Sequence, residues 1–366
     1  MTLTGSETGA LILALASLGR VGPVRIKMIL AHATEPAEIL DWDRARFEEI
    51  PGISTEIASH IAEKLDLADG RRLMEWAEKH EYSVLTLADP IYPPALRELY
   101  DCPPFLFLKG VLSESDNRAV AMVGARRATE YGRMTASQIA GELARRQVTV
   151  VSGLAVGIDS ASHQGALDGG GRTIAVLGSG IDVVYPPSNR TLYDRIAEHG
   201  AVISEFFPGV EPAPGHFPRR NRVIAGLSQA VIVVEAGNKS GALLTADLAL
   251  AQSRKLFAVP GNLSSKLSAG TNELIKSGAH IMTSVDDIFS VLPALKNNYI
   301  PAGTAAVADL TEGERLIIER LSRAPKQMDT LVRECCLSVT DASSYLLSLE
   351  LRGLVKQLSG KRFIAI

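Results

Sequence analysis

Six short apolar runs between residues 119 and 261 constrain the fold of this 366-residue chain more than any other feature. Their Val, Ile and Ala residues follow one another without alternation, which is typical of strands buried on both faces. They begin 25–29 residues apart, which is the spacing of βα units, so the pattern predicts a doubly wound parallel sheet. The runs are AVAMVGAR (119–126), VTVVSGLAVGID (148–159), TIAVLGSGID (173–182), AVISEF (201–206), AVIVVEAG (230–237) and KLFAVPG (255–261).

Glycines at the ends of these runs predict a ligand site at the carboxyl edge of the sheet, because the backbone there can approach a ligand closely. They are Gly124, Gly153, Gly178, Gly180, Gly237 and Gly261. The loop GSGID (178–182) is not a dinucleotide fingerprint, since Val183 stands at its third Gly position, and no phosphate-transfer loop occurs.

The three cysteines, Cys102, Cys335 and Cys336, match neither a metal site nor a disulfide framework. The sequence therefore predicts no cofactor, no metal and no catalytic residue.

The rest of the chain predicts two further domains around this Rossmann-like one, which we expect to span residues 81–292. Residues 1–80 contain a repeat, in which LGRVGPVRIKMIL (18–30) aligns with IPGISTEIASHIA (50–62). Both copies resemble helix-hairpin-helix units, so this segment is expected to form a small helical domain of the helix-hairpin-helix or sterile-alpha-motif-like type. A linker is expected at 293–309. Three helical patterns and a strand–turn–strand ending predict a winged helix at 310–366.

Charge is distributed unevenly along the chain. The net charge is −3, but residues 1–90 carry nine Lys and Arg against fifteen Asp and Glu, whereas residues 310–366 carry nine against seven. A polyanion must therefore be bound by local patches. The helical domain either contacts DNA or only docks, and the winged helix binds either DNA or a protein. The apolar run from Ala10 to Leu18 is too short to span a bilayer, so a cytoplasmic protein without membrane association is expected.

The segment HFPRRNRVIAGL (216–227) concentrates positive charge beside Phe217. One hypothesis is that Arg126, Arg219 and Arg222 line a single pocket in which guanidinium groups bind phosphate and Phe217 stacks on an unpaired base. The alternative is that Arg219 and Arg222 pair with carboxylates to hold a loop. The candidate carboxylates are Glu205, Glu211 and Glu235. We expect Glu205 and Glu235 to fix loops through backbone N–H groups, and His163 to be a structural residue.

Several motifs in this order together resemble the DNA-processing protein A family (DprA), also called Smf, over roughly residues 80–290. They include MVGARRATEYG, VSGLAVGIDSASHQGAL, HFPRRNRVIAGLSQAVIVVEA and GTNELIKSGA. The resemblance implies a non-enzymatic, homodimeric, cytoplasmic protein that binds and protects single-stranded DNA. It further implies that the protein loads the RecA recombinase for homologous recombination during natural transformation of competent cells. The winged-helix plan also occurs in that family.

The resemblance also implies a set of nucleic-acid-binding residues. Some relatives carry a Lys just before the Phe motif, where this chain has EPAPG (211–215). Either the pocket binds more weakly in this chain, or Lys239 or Arg220 supplies that charge. The residues of the family motifs are Gly124, Arg126, Ser152, Gly153, Phe217, Pro218, Arg219, Asn221, Arg222, Ser240 and Gly241.

Two other functions are compatible with the predicted sheet. Nucleotide phosphoribohydrolases of the same superfamily carry a P-G-G-x-G-T-x-x-E loop. The equivalent stretch here, EAGNKSGALLTA (235–246), lacks the double Gly and the closing Glu, which favours binding over N-glycosidic cleavage. The third possibility is a scaffold whose glycines only permit tight turns.

Overall fold

The computed structural model describes Leu3 and residues 5–296, and then residues 310–321, 326–335, 337–351, 354–358 and 362–365. The chain divides into two compact units, Met1–Tyr299 and Ile300–Ile366. Within the described ranges, every helix is too short or too polar to cross a lipid bilayer.

The first unit begins with five helices that contain the two repeated segments. They are α1 (Gly5–Ser17), α2 (Pro23–His32), α3 (Arg44–Glu48), α4 (Thr55–Lys64) and α5 (Leu67–Lys79). The repeats form the turns α1–α2 and α3–α4, where Gly19 and Gly52 adopt positive φ angles of 73° and 83°. The two turns contact each other, since Arg25 Nε donates to Gly52 O at 2.9 Å and Arg20 pairs with Glu56. The predicted helical hairpins are therefore present as a pair.

A mostly parallel sheet follows, and it confirms the predicted fold class. Its nine strands among the described residues are β1 (Ser83–Thr86), β2 (Phe105–Gly110), β3 (Ala119–Val123), β4 (Thr149–Ser152), β5 (Thr173–Val176), β6 (Ala201–Ser204), β7 (Ala230–Val233), β8 (Lys255–Ala258) and β9 (His280–Ile281). Their order is β1-β2-β6-β5-β4-β3-β7-β8-β9. In this spatial order, every neighbouring pair from β6 through β9 is parallel, whereas β2 is antiparallel to both β6 and β1. All six predicted strands are present, and β1, β2 and β9 are additional.

Helices cover both faces of this sheet, as the apolar runs require. They are α6 (Pro94–Arg97), α7 (Glu130–Arg145), α8 (Ile158–Asp168), α9 (Arg190–His199), α10 (His216–Gly226), α11 (Gly241–Ala251), α12 (Ala269–Lys276) and α13 (Asp286–Val291). Along β3, Ala119, Ala121 and Val123 belong to the core beneath α10 and α11. Val120 and Met122 face the opposite core beneath α7, α8 and α13. Strand residues therefore alternate between two hydrophobic cores.

The first residues of the predicted linker are ordered against the sheet. Pro293–Leu295 forms a short 3-10 turn, and Leu295 is fully buried in the core beneath α7 and α13. Arg118 donates a hydrogen bond to the carbonyl of Leu295, which holds this turn against the sheet. Residues 293–295 are therefore part of the first unit, and the remainder of the predicted linker, 297–309, lies outside the described residues.

The second unit has the plan of a winged helix, as the sequence predicts. Its elements are α14 (Glu312–Arg320), β10 (Lys326–Gln327), α15 (Met328–Cys335), α16 (Val339–Leu351), β11 (Val355–Leu358) and β12 (Arg362–Ala365). The strands form an antiparallel sheet in the order β10-β12-β11. The two-residue strand β10 was not predicted.

Candidate nucleic-acid interface

A pocket lies at the carboxyl ends of β3, β4 and β5, where the loops that follow these strands meet the first turn of α10. Four of the residues predicted for nucleic-acid binding line it, namely Arg126, Gly153, Phe217 and Arg220. Ligands of doubly wound sheets bind at this edge. The other lining residues are Ala155, Val156, Gly178, Ser179, Tyr185 and Pro186.

Arg126 is the exposed cation of this pocket. Its guanidinium carbon lies 4.7 Å from the ring centroid of Phe217, which is a cation–π contact. The ring of Tyr185 lies next to Phe217, with the two centroids 6.0 Å apart. No carboxylate among the described residues forms an ion pair with Arg126, so its charge is available to an anion.

Arg220 forms the buried back of the pocket, with only 4% of its surface exposed. Its Nη1 donates to Gly153 O at 2.7 Å and also to Val176 O, and its Nε donates to Asn221 Oδ1 at 3.1 Å. A larger residue than glycine at position 153 would displace this guanidinium, because a Cβ would lie 2.5 Å from Arg220 Nη1. The guanidinium group therefore ties the ends of β4 and β5 to α10.

The charge of Arg220 is only partly balanced by its surroundings. Burial lowers the pKa of Arg220 to about 10, the nearby Asp159 carboxylate opposes this shift, and the positive charge of Arg126 adds to it. Arg220 is still protonated at neutral pH. Asp159 itself accepts a hydrogen bond from Gly153 N at 3.2 Å. An anion between Arg126 and Arg220 would relieve the repulsion between the two guanidinium groups.

Arg219 and Arg222 do not line this pocket, so the hypothesis that placed them there with Arg126 is wrong. Arg222 is buried and pairs with Glu205, and its Nε lies 3.3 Å from Asp101 Oδ2. Arg219 is half exposed and donates from Nε to Glu205 Oε1 at 3.1 Å. These contacts confirm the alternative, that the two arginines hold a loop through Glu205. Positions 219 and 222 share one side of α10, whereas 217 and 220 share another.

Glu205 was expected to fix its loop through backbone N–H groups, and its hydrogen-bond donors are instead Arg219 and Arg222. Burial raises the pKa of the Glu205 carboxyl, and the two arginines oppose that shift. Glu235 does follow the expectation, since it accepts hydrogen bonds from Thr129 N at 2.9 Å and from Thr129 Oγ1. Thr129 is the N-cap of α7. Glu235 thereby anchors the start of that helix.

The remaining predicted residues do not line the pocket. The Ser152 hydroxyl is buried and donates to Met122 O at 2.6 Å, and Gly124 packs against Ile158. Ser240 caps α11 by accepting from Ala242 N at 3.3 Å. Pro218, Lys239 and Gly241 are exposed. Of the two residues expected to supply a charge in place of the relatives' Lys, Arg220 lines the pocket and Lys239 does not.

His163 is fully buried and takes no part in this pocket. Its Nδ1 lies 2.7 Å from Thr173 Oγ1, and burial lowers the pKa of His163 to about 3. The ring is therefore neutral at physiological pH. These contacts confirm the expected structural role of His163.

Sequence reasoning missed Tyr185, which is the most exposed ring of the pocket. It lies in the stretch YPPSN (185–189), directly after the glycines that follow β5. An aromatic residue between such a loop and a proline was the available signal, since prolines fix the backbone that presents the ring.

Comparison with known proteins shows the family to which the chain belongs. The DNA recombination-mediator protein A family matches residues 83–293, and the DprA winged helix domain matches residues 301–361. The chain belongs to the DNA recombination-mediator protein A family. The first match covers more than half of the chain, which confirms the resemblance to DNA-processing protein A.

Individual members of the DNA recombination-mediator protein A family are similar over long stretches. Protein Smf of Synechocystis is 33% identical, with 96% of this chain and 97% of that protein covered. The X-ray structure of DprA from Streptococcus pneumoniae has a TM-score of 0.68 and 34% identity, covering 79% of this chain and 98% of that one. A structure of the Helicobacter pylori protein, which describes its single-stranded DNA binding mode, has a TM-score of 0.54 and 32% identity, covering 59% and 98%.

Proposed function

We propose that this chain binds single-stranded DNA at the candidate pocket, with a phosphate between Arg126 and Arg220 and a base against the aromatic side. The proposal rests on one observation: the exposed guanidinium of Arg126 and the buried guanidinium of Arg220 line the same pocket as two aromatic rings. Guanidinium groups match phosphate oxygens in geometry and charge. Aromatic rings accept any base, so binding depends little on sequence.

The shape of the pocket favours a single strand over a duplex. Its rings lie beside the cations in a concavity, and the bases of a duplex are stacked on each other and cannot reach such rings without being flipped out. The Helicobacter pylori relative, whose structure describes single-stranded DNA binding, supports the same ligand for this chain.

Membership of the family supports a proposal for the wider role of the protein. We propose that the protein protects incoming single-stranded DNA and loads the RecA recombinase onto it during natural transformation, acting as a homodimer through the Rossmann-like domain. Light scattering of the purified protein at micromolar concentration tests the dimer. Displacement of a single-strand-binding protein by RecA, followed with and without this chain, tests the loading.

Replacement of Arg126 tests the pocket directly. Arg126→Ala should weaken binding of oligo-dT and lower the slope of log K against log salt by about 0.7 for the lost phosphate contact, because fewer counterions are released. Fluorescence titrations at several salt concentrations measure both quantities. Arg127→Ala is the matched control, because Arg127 is also exposed but does not line the pocket. Equal effects of the two substitutions would show that only general charge matters.

An enzymatic function of the phosphoribohydrolase type has less support. The carboxylate that begins the equivalent stretch, Glu235, is buried and accepts hydrogen bonds from Thr129. We therefore propose DNA binding without N-glycosidic cleavage. Incubation with nucleoside monophosphates, followed by chromatography of the products, tests this. Release of free base by the protein, abolished in Glu235→Gln, would favour the enzyme instead.

A further inference from the structure

The two rings of the candidate pocket have different surroundings. The guanidinium carbon of Arg126 lies over the ring of Phe217 at 4.7 Å. Phe217 also packs on the backbone of Gly178, where a Cβ would lie 3.0 Å from Phe217 Cδ1. Phe217 is half-buried between these neighbours. Little of its ring is open to a base unless Arg126 moves away.

Tyr185 presents the more open ring. It is 42% exposed, and its ring plane is tilted by 40° from that of Phe217. Within the described part of the chain, no hydrogen bond or ion pair involves the Tyr185 side chain, and Phe217 is its ring neighbour. The ring therefore has a solvent-facing surface at the mouth of the pocket.

The backbone on both sides of Tyr185 is fixed by hydrogen bonds. Ser179 Oγ donates to Val183 O at 2.7 Å, and the Asp182 carboxylate accepts from Gly209 N at 2.9 Å. After the ring, the buried Asn189 side chain donates to Leu154 O at 2.8 Å. An exposed ring on an ordered loop loses little backbone entropy when a ligand binds.

From these contacts we infer that Tyr185 is the residue on which a DNA base stacks, and that Phe217 positions Arg126 for the phosphate. This inference rests on the proposed function of the same pocket and assigns separate roles to its two rings. Phe217 restricts the guanidinium of Arg126 through the cation–π contact. Tyr185 receives the base of the nucleotide whose phosphate lies between Arg126 and Arg220.

A titration of oligo-dT that carries one 2-aminopurine tests the role of Tyr185, because 2-aminopurine fluorescence is quenched when the base stacks. Tyr185→Ala should bind roughly 5- to 150-fold more weakly, with the quench lost and the salt slope unchanged, since stacking releases few ions. Tyr185→Phe should bind as the wild type does. Tyr185→Leu keeps apolar bulk without an aromatic face and should resemble the Ala variant. Tyr131→Ala, which removes a 60% exposed tyrosine outside the pocket, is the matched control.

The role of Phe217 has a different signature. Phe217→Ala should lower the salt slope by about 0.7, as Arg126→Ala does, because the guanidinium loses its support. The double variant Arg126→Ala/Phe217→Ala should bind no more weakly than Arg126→Ala alone. Tyr185→Ala should instead add its full effect to that of Arg126→Ala, as independent contacts do.

The outcomes separate this inference from the function on which it rests. Wild-type affinity and quench in Tyr185→Ala would overturn it. Loss of the quench in Phe217→Ala with an unchanged salt slope would also overturn it and would assign the base to Phe217. If the wild type does not bind oligo-dT, or if Arg126→Ala binds as the wild type does, the proposed function fails first. Melting temperatures of all variants identify any loss of folding.

Discussion

At the scale of single residues, the three arginines at the start of α10 occupy three environments. Arg220 is buried behind the pocket and hydrogen-bonds to two strand ends. Arg222 is buried on another side of the helix against Glu205, and Arg219 lies half exposed over Phe206, 5.1 Å from the ring centroid. An α-helix turns by about 100° per residue, so positions 220 and 222 point to nearly opposite sides. One of the three therefore faces the pocket, and two stabilise the neighbouring loop.

Replacement of Arg222 should destabilise the protein. Arg222→Ala leaves the buried Glu205 with only Arg219 as a cationic partner, and breaking a buried pair in this way costs roughly 3–5 kcal/mol in the free energy of unfolding. Urea denaturation measures this loss. Folded Arg222→Ala should keep the wild-type salt slope for oligo-dT, because Arg222 does not line the pocket.

The pH dependence of this variant has a defined sign. Burial already raises the pKa of Glu205, and the loss of Arg222 should raise it further. A carboxyl whose pKa is higher in the folded state than in the unfolded state stabilises the protein below its unfolded pKa of about 4.3. This contribution to the free energy of unfolding is lost as pH rises through the folded pKa. The stability deficit should therefore grow as pH rises above the unfolded pKa of about 4.3. The double variant Glu205→Gln/Arg222→Met should recover much of it, and a deficit independent of pH would contradict this account.

At the scale of elements, the sequence predicts best where burial is greatest. Strands β3 to β8 are buried along nearly their whole length, so their apolar runs repeat with the βα period. Strands β1 and β2 were missed because they are antiparallel and lie outside that period. Strand β9 has two exposed residues and no apolar signal. The side on which each arginine of α10 points was not predictable, because it depends on where the helix begins.

The junction between β4 and α10 offers a test at this scale. A Cβ at position 153 would lie 2.5 Å from Arg220 Nη1, so Gly153→Ala should push the guanidinium away from Gly153 O and Val176 O. Losing these hydrogen bonds should cost roughly 1–3 kcal/mol in the free energy of unfolding. Binding of oligo-dT should also weaken, because the buried cation of the pocket is displaced.

Gly5→Ala is the matched control for this substitution. Gly5 is the first residue of α1, and nothing lies within 4 Å of the position that its Cβ would take. Alanine there should leave both stability and binding close to those of the wild type. If Gly153→Ala behaved in the same way, the tie between Arg220 and the strand ends would not matter for the pocket.

At the scale of the whole molecule, the positive charge that can bind DNA is confined to local patches. The chain has a net charge of −3, and residues 1–90 contribute −6. The two hairpin turns of the N-terminal helices are bonded to each other through Arg25 and Gly52, which leaves less of their backbone for phosphate. In the second unit, α16 contains Asp341 and Glu350 but no Lys or Arg, so it lacks the cations with which a recognition helix binds a duplex. The pocket of the first unit is therefore expected to supply most of the affinity.

Removal of the second unit tests this expectation. Every residue that lines the pocket belongs to the compact unit Met1–Tyr299, so a chain truncated after Tyr299 should fold and keep the salt slope of the full-length protein for oligo-dT. Circular dichroism and a cooperative thermal transition check its folding, and the titrations used for Arg126→Ala measure its binding. Because the slope counts the phosphates that the protein neutralises, any contact made by residues 300–366 would appear as a lower slope after truncation. An unchanged slope, together with loss of RecA loading, would indicate that the winged helix binds a protein partner. A slope lowered by about 0.7 or more would instead show that this domain also contacts DNA phosphates.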